Sequence, residues 1–93
     1  MNDDNLKLEA ELAGPVLWLR PAGRMDQSNM GRVWREAVSL VRQHPQAGVT
    51  LDLAAAQEGD SAGAAFVMYL RDLCEEAKRP FEVLHVGPSM QHF

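Results

Sequence analysis

The chain has 93 residues, enough for one domain with a modest core and no room for a second. Its net charge of −4 argues against a nucleic-acid footprint, and its nine scattered basic residues form no polybasic membrane patch. A single cysteine, Cys74, excludes an internal disulfide framework.

The polar, acidic start Met1–Asn5 is the opposite of a signal peptide, and no apolar run reaches the ~18–20 residues of a membrane span. Together with the lone thiol, this makes the expected compartment the cytoplasm, as a separate domain or as the cytoplasmic part of something longer. From Leu6 to Leu12 the chain alternates Leu6, Leu8, Ala10 and Leu12 with Lys7, Glu9 and Glu11, the period of a half-buried strand. Gly14-Pro15 punctuates, and Val16-Leu17-Trp18-Leu19 reads as a second strand closing a hairpin.

Gly23-Arg24-Met25-Asp26 ends the hairpin and leads into a helix. From Ser28, Met30, Val33, Trp34, Ala37, Val38 and Val41 recur three and four apart, with Asp26 or Ser28 as the cap and His44-Pro45 as the stop. Val49–Leu53 is a strand of the doubly buried type. A loop from Ala54 to Gly59 follows, then a second helix carrying Ala65, Phe66, Tyr69, Leu70, Leu73, Cys74 and Ala77, closed by Pro80. Phe81–Val86 is a last strand, and Gly87-Pro88-Ser89 opens further helix. The order β-β-α-β-α-β requires a parallel crossover beside an antiparallel hairpin. The expected fold is therefore α/β: a mixed four-stranded sheet with its single-stripe helices on one face.

The chemistry-bearing residues are sparse. His44, His85 and His92 lie too far apart for a zinc signature, and one cysteine cannot complete one, so no metal is expected. Cys74 shares the stripe of Phe66 and Leu70 and reads as a buried, inert thiol. Gly59-Asp60-Ser61-Ala62-Gly63 lacks the lysine of a phosphate-binding loop, and no base for Ser61 can be named. Neither a catalytic residue nor a cofactor is expected. Trp18 and Trp34 sit in apolar runs and read as core.

The stretch "EGDSAGAAF", residues 58–66, remains. Asp60 is placed to cap the second helix with its carboxylate, and capping by itself accounts for it. The functional reading is a surface on which another protein sits close to Ser61, at a helix end that favours a phosphate.

These segments in order resemble the STAS family, the domain shared by sulphate transporters and anti-sigma factor antagonists. "LRPAGRMDQSNMGRVWREAV" is similar to the family's strand, Gly-x-Leu-Asp turn and first helix, with Gly23 and Asp26 matching and Met25 in place of leucine. "VTLDLAAAQEGDSAGAAF" is similar to its central strand and Asp-Ser/Thr-x-Gly signature, at Asp60, Ser61, Ala62 and Gly63. "FEVLHVGPSMQHF" is similar to the fourth strand and the start of a last helix. The resemblance implies one STAS-like (SpoIIAA-like) domain over residues 1–93, which stops at Phe93 before that last helix is complete.

In the antagonist branch, the residue at the position of Ser61 is phosphorylated by a kinase that is also the anti-sigma factor. Ala62 and Ala64 depart from that branch, which carries a second hydroxyl and a leucine there. "Asp-Ser-Ala-Gly-Ala-Ala" and the "GRVWREAV" helix look closer to STAS domains of Mla-type phospholipid ABC transporters, which bind the transporter's ATPase through this helix end. The resemblance thus implies a non-enzymatic module docking on such an ATPase through Gln57, Glu58, Asp60, Ser61, Ala62 and Gly63, at the membrane only indirectly through a permease. The alternative is an anti-sigma factor antagonist switched at Ser61. A purely structural dimerisation domain is a third reading, and a homodimer is compatible with all three.

Overall fold

Strand β1 (Lys7–Ala13) turns at Gly14-Pro15 into β2 (Val16–Met25), pairing antiparallel from Ala13↔Val16 to Lys7↔Ala22. Gly14 takes φ +59 and Pro15 follows with its ring-fixed φ, the glycine-first pattern of a type II′ turn. Helix α1 (Met30–Gln43) crosses to β3 (Gly48–Asp52), which lies parallel to β2; helix α2 (Ser61–Glu76) crosses to β5 (Phe81–Leu84), parallel to β3. The computed structural model describes residues 6–86. Its main sheet runs β1-β2-β3-β5, as the mixed α/β reading requires.

Both helices lie on one face of the sheet. Leu17, Leu19, Val49 and Leu51 of the strands are buried against Val33, Ala37 and Val41 of α1 and Phe66, Leu70 and Cys74 of α2. The apolar stripe of α2 is narrower than its sequence suggests: Ala65, Tyr69 and Ala77 are exposed, and Gly63 is buried.

Three boundaries differ from expectation, and each has a local cause. β2 continues past Leu19 to Met25, and the expected loop at 54–59 contains a short strand, β4 (Ala56–Glu58), parallel to the second half of β2. The partner offset is 32 for Val16↔Gly48 and 33 for Gly23↔Ala56, so one extra residue bulges between β3 and β4. The break falls at Pro21, which has no N–H to donate. Gly23, two residues on and oriented alike, resumes the ladder by donating to the Ala55 carbonyl at 3.0 Å.

Helix α1 begins at Met30, with Asn29 as its N-cap and neither Asp26 nor Ser28 in that role. The Asp26 carboxylate instead holds Ser28 in a turn before the helix. β5 stops at Leu84, because His85 takes φ +60. Its Nδ1 lies 2.8 Å from Asp52 Oδ1, and this contact, with the Ala54 N–H, holds the Asp52 carboxyl below its ordinary pKa. The helix expected from Gly87 lies outside the described residues.

Trp18 is not core. Strand alternation sends Leu17 and Leu19 to the helices and Trp18 to the opposite face, under the Arg20 guanidinium at 4.9 Å. Arg20 also reaches Glu11 at 3.3 Å and Asp52 at 3.9 Å on that face. Trp34 is half-buried between the helices, with ring centroids 5.4 Å from Phe66 and 5.5 Å from Tyr69.

The far end of the helical layer is tied by one side chain. α2 closes with Lys78 in the left-handed region (φ +56), its N–H donating to the Glu75 carbonyl and the Arg79 N–H to the Cys74 carbonyl. The Arg79 guanidinium then donates to the carbonyls of Ala47 (2.7 Å), Val41 (3.0 Å) and His44 (2.7 Å). It thereby satisfies carbonyls that α1 leaves open at its C-terminus. Arg79→Met keeps the apolar stem and removes all three bonds. It is expected to lower unfolding free energy by about 2–4 kcal/mol in urea titrations. A loss under about 0.5 kcal/mol would show that water replaces the clamp at no cost.

Candidate functional site

The parallel strands β2 and β4 end together, and α2 starts at that edge. Gln57 and Glu58 pair through their backbones with Arg24 and Met25, which brings the chain at Gly59 directly against the end of β2. A Cβ on Gly59 would lie 2.5 Å from the Met25 carbonyl oxygen and 2.7 Å from Asp26 Cβ, so only glycine fits. Gly63, on the first turn of α2, packs on the buried Met25 side chain.

Asp60 is the N-cap of α2, in extended conformation, and its Oδ1 accepts the Ala62 N–H at 2.9 Å. Its other oxygen does something the sequence does not announce: Oδ2 accepts the Gln27 N–H at 3.1 Å, from a loop 33 residues earlier. One carboxylate therefore caps the helix and fastens the turn before α1.

That turn has its own carboxylate. Asp26 Oδ1 accepts from the Ser28 N–H (3.1 Å) and hydroxyl (2.7 Å), and Oδ2 accepts from Arg24 Nε (3.1 Å). The Ser28 hydroxyl bond leads the causes that hold the Asp26 carboxyl below its ordinary pKa, with Arg24 adding to it. The Asp26 backbone carbonyl accepts from Asn29 and Met30, and the Asn29 amide group donates to the Arg24 carbonyl. The turn is saturated with bonds.

The structure brings Gln57, Asp60, Ser61, Ala62 and Gly63 to this one edge, with Glu58 in the strand that leads to it. Gln57, Asp60 and Ser61 are exposed, Ala62 is half-buried and Gly63 is buried. The Ser61 hydroxyl has no hydrogen-bond partner among the described residues. The Gly63 N–H donates to the Asp60 carbonyl at 3.3 Å, so Asp60 already engages two amides of the first turn. Beyond Ser61, the same side of α2 exposes Ala65 and Met68, four and seven residues on. Sequence reasoning missed the participation of Arg24, Asp26 and Gln27. In the sequence Asp26 and Ser28 read as caps for α1, and no spacing joins Gln27 to Asp60.

Among the described residues no side chain is hydrogen-bonded to Ser61, and both Asp60 carboxylate oxygens accept backbone amides. Burial pushes the Cys74 thiol up, away from nucleophilic character. Among the described residues, no group of three or more His, Cys, Asp or Glu is placed to hold a metal ion, and no helix is long and apolar enough to cross a membrane. The arrangement is a braced surface with one free hydroxyl.

Solved structures share this architecture. A serine-to-glutamate variant of RsbS from Moorella thermoacetica aligns over 90% of this chain and 71% of its own, with a TM-score of 0.75 at 15% identity. The fold is that of the STAS domain. An anti-sigma factor antagonist from Mycobacterium paratuberculosis gives 0.71, over 97% of this chain and 75% of its own, at 18% identity. The STAS domain of an antisigma-factor antagonist from Rhodobacter sphaeroides gives 0.60, over 90% and 89%, at 12% identity. In sequence, the chain matches no protein-family model and has no significant match among curated proteins. At these identities the likeness is one of STAS fold.

Because the folded state depresses Asp26, its contribution is whole above the ordinary carboxyl value of 3.8 and is lost as pH falls through the lower folded value. Asp26→Asn removes that titration. The stability gap between wild type and Asp26→Asn, from urea midpoints between about pH 5 and pH 2, is expected to narrow with acid. A gap independent of pH would show that the turn does not depend on the charge.

Proposed function

We propose that this chain is a non-enzymatic, cytoplasmic partner-switching module of the anti-sigma factor antagonist type, with Ser61 as the regulated hydroxyl. The observation that carries the reading is the state of Ser61: exposed, without a partner, on the first turn of a helix braced by Asp60. The two fold neighbours named as antagonists support it and move it ahead of docking on a transporter ATPase, which the sequence favours.

The mechanism follows from electrostatics at the helix end. In the unmodified protein the partner meets Ser61, Ala65 and Met68, a low surface that allows close approach. A phosphate on Ser61 adds about −1.5 to −2 charge one residue from the Asp60 carboxylate. It competes for the helix-end amides and repels that carboxylate, and a partner would have to desolvate the added charge. Modification thus blocks docking and loosens the brace to Gln27 together.

The test is incubation with ATP and the chain's anti-sigma factor kinase, followed by intact-mass measurement and partner pull-down. Wild type should gain a single phosphate and lose its partner; Ser61→Ala should gain none and stay bound. A wild type that gains no phosphate and keeps its partner, with only the Ser61→Asp variant releasing it, would refute the phosphoryl-acceptor role. Co-purification of a transporter ATPase with that unmodified chain would return the transporter reading to first place.

A further inference from the structure

A second surface lies on the outer side of the helical layer, and it does not depend on Ser61. Residues of α1 and Tyr69 of α2 line a groove of about 540 Å³ there. Its wall and floor are Trp34 and Val38 of α1 and Tyr69 of α2, with Arg35, Ser39 and Arg42 on the α1 rim. Trp34 is half-buried and Tyr69 is 40% exposed, so the aromatic surface is open to a ligand.

The rim has one sign of charge. Among the described residues no carboxylate lines the groove, although the chain as a whole carries −4. Arg20, Arg24, Arg32 and Arg71 lie within ion-pair distance of acids, and Arg79 is spent on backbone carbonyls. Arg35 and Arg42 have no carboxylate partner among the described residues. They stand seven residues apart, two helical turns, or roughly 10.5 Å along the axis.

We propose that this groove binds an acidic amphipathic helix of a partner protein, with carboxylates two turns apart meeting Arg35 and Arg42. An apolar side chain between them rests on Trp34, Val38 and Tyr69. The two-turn spacing favours a helix over a lipid surface, because a second helix repeats its side chains at the same interval while headgroups have no fixed one. Aromatic and arginine residues are also the side chains that anchor protein interfaces best.

The probe is a lactam-bridged helical peptide of about 14 residues, roughly four turns, carrying Glu two turns apart around a central Leu. Trp18→Phe, on the opposite face of the sheet, leaves Trp34 as the sole tryptophan reporter. Titration should shift Trp34 emission to saturation. Arg35→Glu/Arg42→Glu should weaken binding at least about tenfold, and the Lys version of the peptide should restore it, which also shows that the variant is folded. The proposal is overturned by no binding, by binding indifferent to the charge reversal, or by tighter association with phosphatidylglycerol vesicles than with the peptide. Sedimentation showing that the double reversal only dissolves a homodimer would overturn it too, assigning the groove to a second copy.

Discussion

The Asp60 carboxylate is the constraint on which the candidate surface depends. Its two oxygens accept amides from chain segments 35 residues apart, Ala62 on α2 and Gln27 before α1. Without it, the end of β2 and the helix start would still meet through the pairing of β2 with β4, the Asp60 N–H donating to the Met25 carbonyl at 3.3 Å, and the packing of Gly59 and Gly63 on Met25, but no bond would reach Gln27. An acidic N-cap is worth about 0.5–2 kcal/mol to a helix. Here the same group also fixes where a partner would find Ser61, so a local capping preference becomes a positional one.

The two ends of α2 divide the labour. At the C-terminal end, the left-handed Lys78 closes α2 and the Arg79 clamp binds it to the tail of α1 and to Ala47 through three backbone carbonyls. At the N-terminal end, bonds converge on Asp26 and Asp60 and leave the Ser61 hydroxyl outside the network. A rigid helix anchored at one end presents its other end reproducibly. On such a helix end Ala62 and Ala65 offer little side chain with which to adapt, so their placement rests on the backbone. The groove at Trp34 and Tyr69 lies between these ends, so two partners could address one helical layer at separate places.

Much of this was legible in the sequence. The strand at Lys7–Ala13, the single stripe of α1 and the Asp60 cap follow from local rules, but the period-two face of that strand is buried only at its start: Leu6 is buried and Leu8 half-buried, whereas Ala10 and Leu12 are exposed. What was not legible depended on pairing between distant segments. β4 has only three residues and exists because β2 offers it a ladder after Pro21. Trp18 sits in an apolar run whose face alternation alone could not orient, and the β1–β2–β3 register resolved it. His85 interrupts β5 because its ring meets Asp52 and its backbone turns left-handed, neither of which a Leu-His-Val run foretells. In the site, Ser61 and its neighbours could be named from their order, whereas the bond from Asp60 to Gln27 could not.

The account's central claim is that one carboxylate joins two loops, and amide hydrogen exchange on Asp60→Ala tests it most directly. If Asp60 is the shared brace, the Gln27 and Ala62 amides lose protection together, while amides of the β2–β3 ladder such as Leu19 and Leu51 keep theirs. Loss of protection at Ala62 with Gln27 unchanged would show that Asp60 is a helix cap and nothing more, and would remove the physical basis of the surface at Ser61.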